Sequence, residues 1–250
     1  MTVVVTGASG RLGQPLVAAL QAAGHEVRPM SSRPGHDMVR GDLATGAGLE
    51  AALAGVEGVI HAASAPRGDL WQVDVAGSRR LADAVDRDAL RHLVYVSIVG
   101  VDRNPYSYYR AKFAAEQVLL AAGLPVTVLR ATQFHELVDE LLQQARRGPL
   151  LPVPRGWRLQ PVSVREVADH LAEVLREPPV HGVREFAGPE QLDSLALARE
   201  WAHAQHPAPR PVPVPLPGKL SRAVRDGGAL SDTGARGLTT YAEHLADRQR

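Results

Sequence analysis

Thr2-Val3-Val4-Val5-Thr6-Gly7-Ala8-Ser9-Gly10-Arg11-Leu12-Gly13 is the stretch on which the reading of this chain turns. Residues 2–6 are β-branched throughout and stop at Gly7, the pattern of a short strand buried on both faces of a parallel sheet. Arg11 to Ala23 follows as a helix, with Leu12, Leu16, Ala19, Leu20 and Ala23 along one face and Gly24 past its end. A glycine turn between a first strand and a first helix is where helix-terminal amides can meet an anion. There Gly7 allows the tight turn, Gly10 lets the backbone approach a phosphate, and Gly13 lets helix and strand pack closely. The turn thus predicts dinucleotide binding, with Ser9, Arg11 and Leu12 completing the contact.

Working outward, apolar strands alternate with amphipathic helices. Strands are expected at His25–Met30, Met38–Arg40, Val56–Ala62, Arg91–Ser97 and Pro125–Arg130, and helices at Gly48–Ala54, Leu70–Val85 and Tyr106–Ala122. The connections are too long for hairpins, so the fold class is α/β: a Rossmann-type doubly wound parallel sheet. The second half is less regular. Helices are expected at Phe134–Arg147, Val164–Arg176 and Ser194–His206, with a strand at Arg184–Ala187. Alternating prolines from Pro207 to Pro217 predict extended structure packed on the body. Asp226–Gly237, Gly-rich and polar, reads as a mobile loop, and Thr240-x-x-Glu243 as a capping box opening a last helix. The expected organisation is a cofactor-binding core over residues 1–131 and a small substrate-binding subdomain over 132–250 packed on it.

Composition narrows the function. Lys plus Arg is 28 and Asp plus Glu 27, for a net charge of +1, so no global field favours nucleic acid or an anionic membrane. The chain has no cysteine, which removes disulfides and thiolate chemistry. No apolar run approaches the ~20 residues of a membrane span, and the apolar strand at the start, without a basic region before it, leads to the expectation of no signal peptide. The expectation is a cytoplasmic protein, monomer or homodimer, with a small-molecule substrate and no nucleic-acid or membrane partner. His203 and His206 lack a convincing ligand set, so no metal is expected.

The glycine spacing is G-x-x-G-x-x-G, and Thr6-Gly7-Ala8-Ser9-Gly10-Arg11-Leu12-Gly13 resembles the extended and atypical short-chain dehydrogenase/reductases, including their NmrA-like and NAD(P)H-binding quinone-reductase-like groups. The resemblance covers residues 1–135 well and the remainder loosely. It implies that Asp42, in Gly41-Asp42-Leu43, contacts adenine; the residue-level alternative is a turn aspartate. It implies that Ala62, Ala63 and Ser64 line the cofactor. Val73-Asp74-Val75-Ala76-Gly77 is similar to the family's N-V-x-G signature, with Asp74 in place of Asn. Val94-Tyr95-Val96-Ser97 followed by Tyr108-x-x-x-Lys112 is similar to its catalytic set.

Cofactor choice is read at the end of the second strand, where NAD enzymes usually place a carboxylate for the ribose 2′-hydroxyl. Here Ser31-Ser32-Arg33 offers a cation, with Arg11 flanking it. Arg33 suits a 2′-phosphate, which favours NADP(H) over NAD(H), with Ser32 beside it.

Tyr108 and Lys112 lie four apart on one helix face. The ammonium is expected to lower the tyrosine pKa towards working pH, so that Tyr108 serves as acid/base during hydride transfer. Lys112 would also hold the ribose hydroxyls, and Ser97 would hydrogen-bond the same substrate oxygen as Tyr108. Tyr109 is the alternative acid/base if the helix register is rotated. Ala131-Thr132-Gln133-Phe134-His135 is expected to pass beneath the nicotinamide, with Thr132 and Gln133 at its carboxamide and Phe134 and His135 lining a substrate pocket. The reading that follows is an NADP(H)-dependent oxidoreductase acting on a small carbonyl, enone or quinone. The alternatives are an NmrA-like redox sensor without turnover and a sugar-nucleotide epimerase or dehydratase.

Overall fold

The computed structural model describes residues 1–33, 35–65 and 68–248. Along the chain the elements run β1 (Thr2–Thr6), α1 (Gly13–Ala22), β2 (Glu26–Ser31), β3 (Val39–Arg40), α2 (Leu49–Leu53), β4 (Gly58–His61), a π-helical turn (Trp71–Val75), α3 (Ala76–Ala84), β5 (His92–Ile98), α4 (Ser107–Leu120) and β6 (Val126–Ala131). They continue as α5 (His135–Ala145), β7 (Leu150–Pro154), β8 (Arg158–Leu159), α6 (Val164–Arg176), β9 (Gly182–Ala187), β10 (Leu192–Asp193), α7 (Ser194–His203), β11 (Arg210–Val214), α8 (Lys219–Arg225), β12 (Ala235–Arg236) and α9 (Tyr241–Asp247). The chain forms two compact units. The first comprises Met1–Ser97, Ser107–Arg130 and Arg165–Arg184; the second comprises Ile98–Tyr106, Ala131–Val164 and Glu185–Arg250.

In the first unit the strand order is β3-β2-β1-β4-β5-β6, and β1 pairs in parallel with both β2 and β4. The expected Rossmann-type sheet is thus observed. Successive strands depart to opposite sides of β1, so the glycine turn at its carboxyl end sits at the topological switch point, where ligands bind in such sheets. Val3, Val4 and Val5 are fully buried, which is why the run lacks any polar alternation. Leu16 and Leu20 bury one face of α1. The helix ends where Gly24, at φ +82°, donates to the Gln21 carbonyl and His25 donates to that of Leu20, a left-handed cap that glycine adopts without strain.

The helix expected over Leu70–Val85 is divided: its first turn is π-helical and the regular helix begins at Ala76. Gly77 explains the close packing there, since a Cβ on it would lie 2.8 Å from the Leu43 Cβ.

In the second unit β11 pairs in parallel with β7 and β10 pairs antiparallel with β8. The alternating prolines thus form a strand. Arg210 donates to the Pro149 carbonyl and Arg155 to that of Val214, so the residues between prolines make the ladder while Pro211 and Pro213 face away from it. The expectation of mobility over Asp226–Gly237 is overturned. Ala229, Leu230 and Ser231 are buried, Gln133 donates to the Ala229 carbonyl, and the Ser231 amide donates to Gln160. Two of the glycines there serve close packing: a Cβ on Gly228 would lie 2.7 Å from the Ala223 oxygen and one on Gly234 2.5 Å from the Glu185 oxygen.

The last helix opens on the expected capping box of Thr240 and Glu243. It is held to α5 by one carboxylate. Asp139 accepts from the Tyr241 hydroxyl at 2.6 Å and from His244 Nε2 at 2.9 Å, and it pairs with Arg248. Burial alone would push the Asp139 carboxyl up, but the hydrogen bonds from His244 and Tyr241 and the charges of His244 and Arg248 outweigh it and hold it below its usual value. Such a group stabilises the fold above its unfolded-state pKa, and the contribution disappears as pH falls through the lower folded-state value. Asp139→Asn is therefore expected to cost about 1–3 kcal/mol of unfolding free energy at neutral pH. The gap to the unmodified protein should close in strong acid, as urea unfolding at both pH values will check.

Candidate functional site

The three glycines of the first turn occupy different surroundings. A Cβ on Gly7, which sits at φ +68°, would lie 2.8 Å from the Ala63 backbone. A Cβ on Gly13 would lie 2.2 Å from the Gly7 oxygen. Both positions therefore exclude any side chain for internal reasons. A Cβ on Gly10 meets only the Gly7 oxygen, at 3.1 Å, and Gly10 is exposed. Beyond Gly10, α1 begins at Gly13 with no acidic residue in its first turn and no side-chain cap on its amides among the described residues. Its positive end is thus uncompensated by the protein.

Ser9 and Ser31 bring β1 and β2 together at the rim of this turn, their hydroxyls 3.4 Å apart. The Ser31 hydroxyl also accepts from the Arg33 amide at 3.3 Å. Ser32, Arg33 and Arg11 are exposed. Leu43 is buried against Gly77. Asp42 spends one oxygen on the Ala44 amide at 2.8 Å, closing an Asx turn.

Below the turn lies a buried polar chain. The Ala63 amide donates to Thr6 Oγ1, which is 2.8 Å from His61 Nδ1; His61 Nε2 is 3.0 Å from Ser78 Oγ. The Ser78 hydroxyl donates to the Asp74 carbonyl. With Thr6 donating to Nδ1, the proton sits on Nε2 and every group in the chain is paired. Burial first, and then the Lys112 charge, lower the His61 pKa to about 3, so the ring is neutral. This chain sets the path of the Ala62-Ala63-Ser64 segment.

On α4, Lys112 is 3% exposed. Its Nζ donates to the Val96 carbonyl at 2.7 Å, lies 4.2 Å from the Tyr95 ring centroid, and lies 4.0 Å from Asp74 Oδ1. Burial lowers its pKa to about 8, opposed by the charges of Asp74 and Glu116. Glu116 is itself forked onto Arg130 at 2.7 and 2.9 Å. One turn earlier, the Tyr108 hydroxyl reaches 3.4 Å from Ser64 Oγ, and Ser64 donates to Asp74 Oδ1 at 2.7 Å. The other Asp74 oxygen accepts from the Ala65 amide at 3.1 Å. Tyr109 stands edge-on to Tyr108, 6.1 Å between centroids.

The expected lowering of the Tyr108 pKa by Lys112 is not what the structure has. Burial pushes the phenol above its ordinary value and the Asp74 charge adds to this, against the pull a hydrogen bond from Ser64 would exert. Lys112 is occupied instead by Val96, the Tyr95 ring and Asp74. Ser97 Oγ and the Tyr95 hydroxyl are buried with no hydrogen-bond partner among the described residues.

The segment after β6 belongs to the second unit from Ala131 onward. There the Thr132 amide donates to the Phe186 carbonyl, and its hydroxyl accepts from the Gly188 amide at 3.1 Å. Gln133 is spent on Ala229 and Gln160. Phe134 bridges to Val162. His135 is fully buried, its ring 4.8 Å from that of His244 and 5.7 Å from that of Tyr241.

Thr6, Ser78 and Asp74 are not among the site residues expected from the sequence, and His61 is expected only as the first residue of the segment 61–64 that resembles a cofactor-lining strand end. Two signals existed: a histidine ending an apolar strand, and an aspartate standing in a signature that resembles N-V-x-G.

The profile of the NAD(P)H-binding family matches residues 7–178. The chain is 29% identical to a ceramide reductase of Caulobacter vibrioides, over 92% of this chain and 77% of that protein. Its fold is similar to that of an NADPH-dependent quinone oxidoreductase from Escherichia coli complexed with NADPH, at TM-score 0.82 and 19% identity, covering 99% of this chain and 100% of that one. It is similar as well to a short-chain dehydrogenase/reductase superfamily protein from Agrobacterium tumefaciens with bound NAD, at TM-score 0.76 and 23% identity, covering 99% and 95%. With the switch-point turn and the parallel sheet, these findings make the chain a member of the NAD(P)H-binding family, built on the short-chain dehydrogenase/reductase fold.

Proposed function

We propose that this protein is an NADP(H)-dependent reductase acting on a small carbonyl, enone or quinone, with Tyr108 as its proton donor. The observation that carries the reading is a mostly buried phenol held protonated, in the same unit as a buried amine and an uncompensated helix terminus. A group that stays protonated at working pH can give a proton to an oxygen that is gaining charge. The similarity to a protein named as a reductase, 29% identical, supports the same direction.

Several features suit a dinucleotide. Gly10 leaves open backbone where a pyrophosphate has to approach closely, and the amino-terminal end of α1, which no side chain among the described residues caps, supplies the positive pole. Arg33 and Arg11 would take a 2′-phosphate, and no carboxylate follows the end of β2 before Asp37. Lys112 spends one hydrogen on Val96, and an ammonium has three, so the others are free to hold ribose hydroxyls. The unpaired Ser97 hydroxyl would receive or donate to the substrate oxygen. A bound NADPH would supply the hydride. Tyr108 would then deliver its proton to the oxygen of the reduced group, and the phenolate left behind would regain a proton from solvent.

Gly10→Val should remain folded yet lose the thermal stabilisation given by NADPH, because the added methyls stand in the path of the pyrophosphate. Unchanged stabilisation would move the dinucleotide elsewhere. Arg33→Ala should weaken NADPH by about 1–3 kcal/mol and barely alter NADH by calorimetry; equal losses would end the 2′-phosphate role.

The catalytic test begins with NADPH oxidation over a carbonyl and quinone panel, which also separates an enzyme from a sensor. Tyr108→Phe should keep NADPH affinity while turnover falls roughly 100- to 10,000-fold. Lys112→Met should lose both, and Tyr109→Phe should be mild, since residue 109 points about 100° away from the face shared by 108 and 112. Full rates in Tyr108→Phe would mean that another group supplies the proton.

A further inference from the structure

Lys112 is a buried cation with few polar partners. It makes one hydrogen bond among the described residues, to the Val96 carbonyl at 2.7 Å, and Asp74 Oδ1 stands 4.0 Å away, beyond hydrogen-bond reach. The ammonium lies instead over the face of Tyr95, 4.2 Å from the ring centroid. An aromatic face is electron-rich and attracts a cation, most strongly where water is excluded. Both partners meet that condition: Lys112 is 3% exposed and Tyr95 is fully buried. The Tyr95 hydroxyl has no hydrogen-bond partner among the described residues, and burial keeps it protonated. The His61 ring packs against the Tyr95 ring, 5.1 Å between centroids and tilted by 45°. His61 is tied in turn to Thr6 and Ser78, so the polar chain beneath the glycine turn braces the ring.

We infer that Tyr95 is a positioning residue for Lys112: the face of its ring, and not its hydroxyl, holds the ammonium charged and in place. What this gives the site rests on the proposed role of Lys112 at the ribose. A carboxylate in the same place would claim an N–H outright. A ring face stabilises the charge without accepting a directed hydrogen bond, which leaves the ammonium able to donate to a ligand as well as to Val96. The attraction works against burial, which brings the Lys112 pKa down to about 8. The other titratable groups around this pair are Asp74 of the π-helical turn, Tyr108 and Glu116 of α4 and His61 of β4, and Glu116 is paired with Arg130 of β6. A change confined to the electrons of the ring leaves all of them as they are.

The chain has two lysines, Lys112 and the exposed Lys219, so isotopically labelled lysine gives one buried and one exposed side-chain signal by NMR. The experiment titrates that label in the free protein with Tyr95→Phe, and then with phenylalanines of increasing ring fluorination at the same position. Fluorine draws charge from the ring face and adds little volume, so the packing is kept while the attraction is removed in steps. Tyr95→Phe is expected to leave the Lys112 midpoint unchanged, and the most fluorinated ring to lower it by roughly one pH unit or more. If a fluorinated chain does not fold, Tyr95→Leu takes its place, with the same fall expected. A midpoint that stays put without the ring's charge overturns the proposal. So does a fall in Tyr95→Phe as large as that of the fluorinated rings, since the hydroxyl would then be the active group. NADPH affinity measured near the unmodified midpoint should weaken in the same order. Should the midpoint fall in order while NADPH affinity stays flat, the ring–ammonium contact stands and the place of Lys112 at the ribose falls.

Discussion

A Cβ on Gly13 would sit 2.2 Å from the Gly7 oxygen, and one on Gly7 would sit 2.8 Å from the Ala63 backbone. Three backbone segments, from the end of β1, the start of α1 and the loop after β4, therefore meet with no room for a side chain between them. This contact sets the geometry of the unit around it. It brings α1 down against β1, so that Leu16 and Leu20 reach the core, and it fixes the Ala62-Ala63-Ser64 segment, whose last residue meets both Asp74 and Tyr108. The neutral His61, paired to Thr6 and Ser78, supports the same junction from below.

On this frame the first unit buries opposite charges in close succession. Lys112 is influenced by the charges of both the Asp74 and Glu116 carboxylates, and Glu116 is answered by Arg130. Such an arrangement adds little to stability, because desolvation costs about as much as the Coulomb attraction returns. Its value lies in fixing protonation states. A lysine whose pKa falls to about 8 and a phenol kept above its ordinary range would suit the proton chemistry proposed for this site.

The first half of the fold was legible because its elements are local. Each strand is a short apolar run, each helix carries one apolar face, and glycines mark the ends. Val164–Arg176 was read to its observed bounds for the same reason. The short strands β7, β8, β10 and β12 were not legible: their pairing partners lie far along the chain, and prolines disguise β7. The ordered course of 226–237 was hidden because its glycines report close packing as readily as mobility. At the site, Tyr108 and Lys112 stand out by helical spacing together with their place after Ser97 and the family resemblance. Their link through Ser64 to Asp74 does not, since it depends on a π-helical turn that no periodicity announces.

The proline ladder of the second unit has a bearing on how this protein behaves in crowded solution. Pro152 and Pro154 of β7, like Pro211 and Pro213 of β11, fall at positions facing away from the partner strand. An ordinary two-stranded ribbon would present amides along both outer margins, where a strand from another molecule can dock. Here proline removes those donors at alternate positions on both margins at once. The ribbon can close its own ladder but offers a poor template for extending it, which guards against strand-to-strand self-association in a segment otherwise rich in valine and leucine.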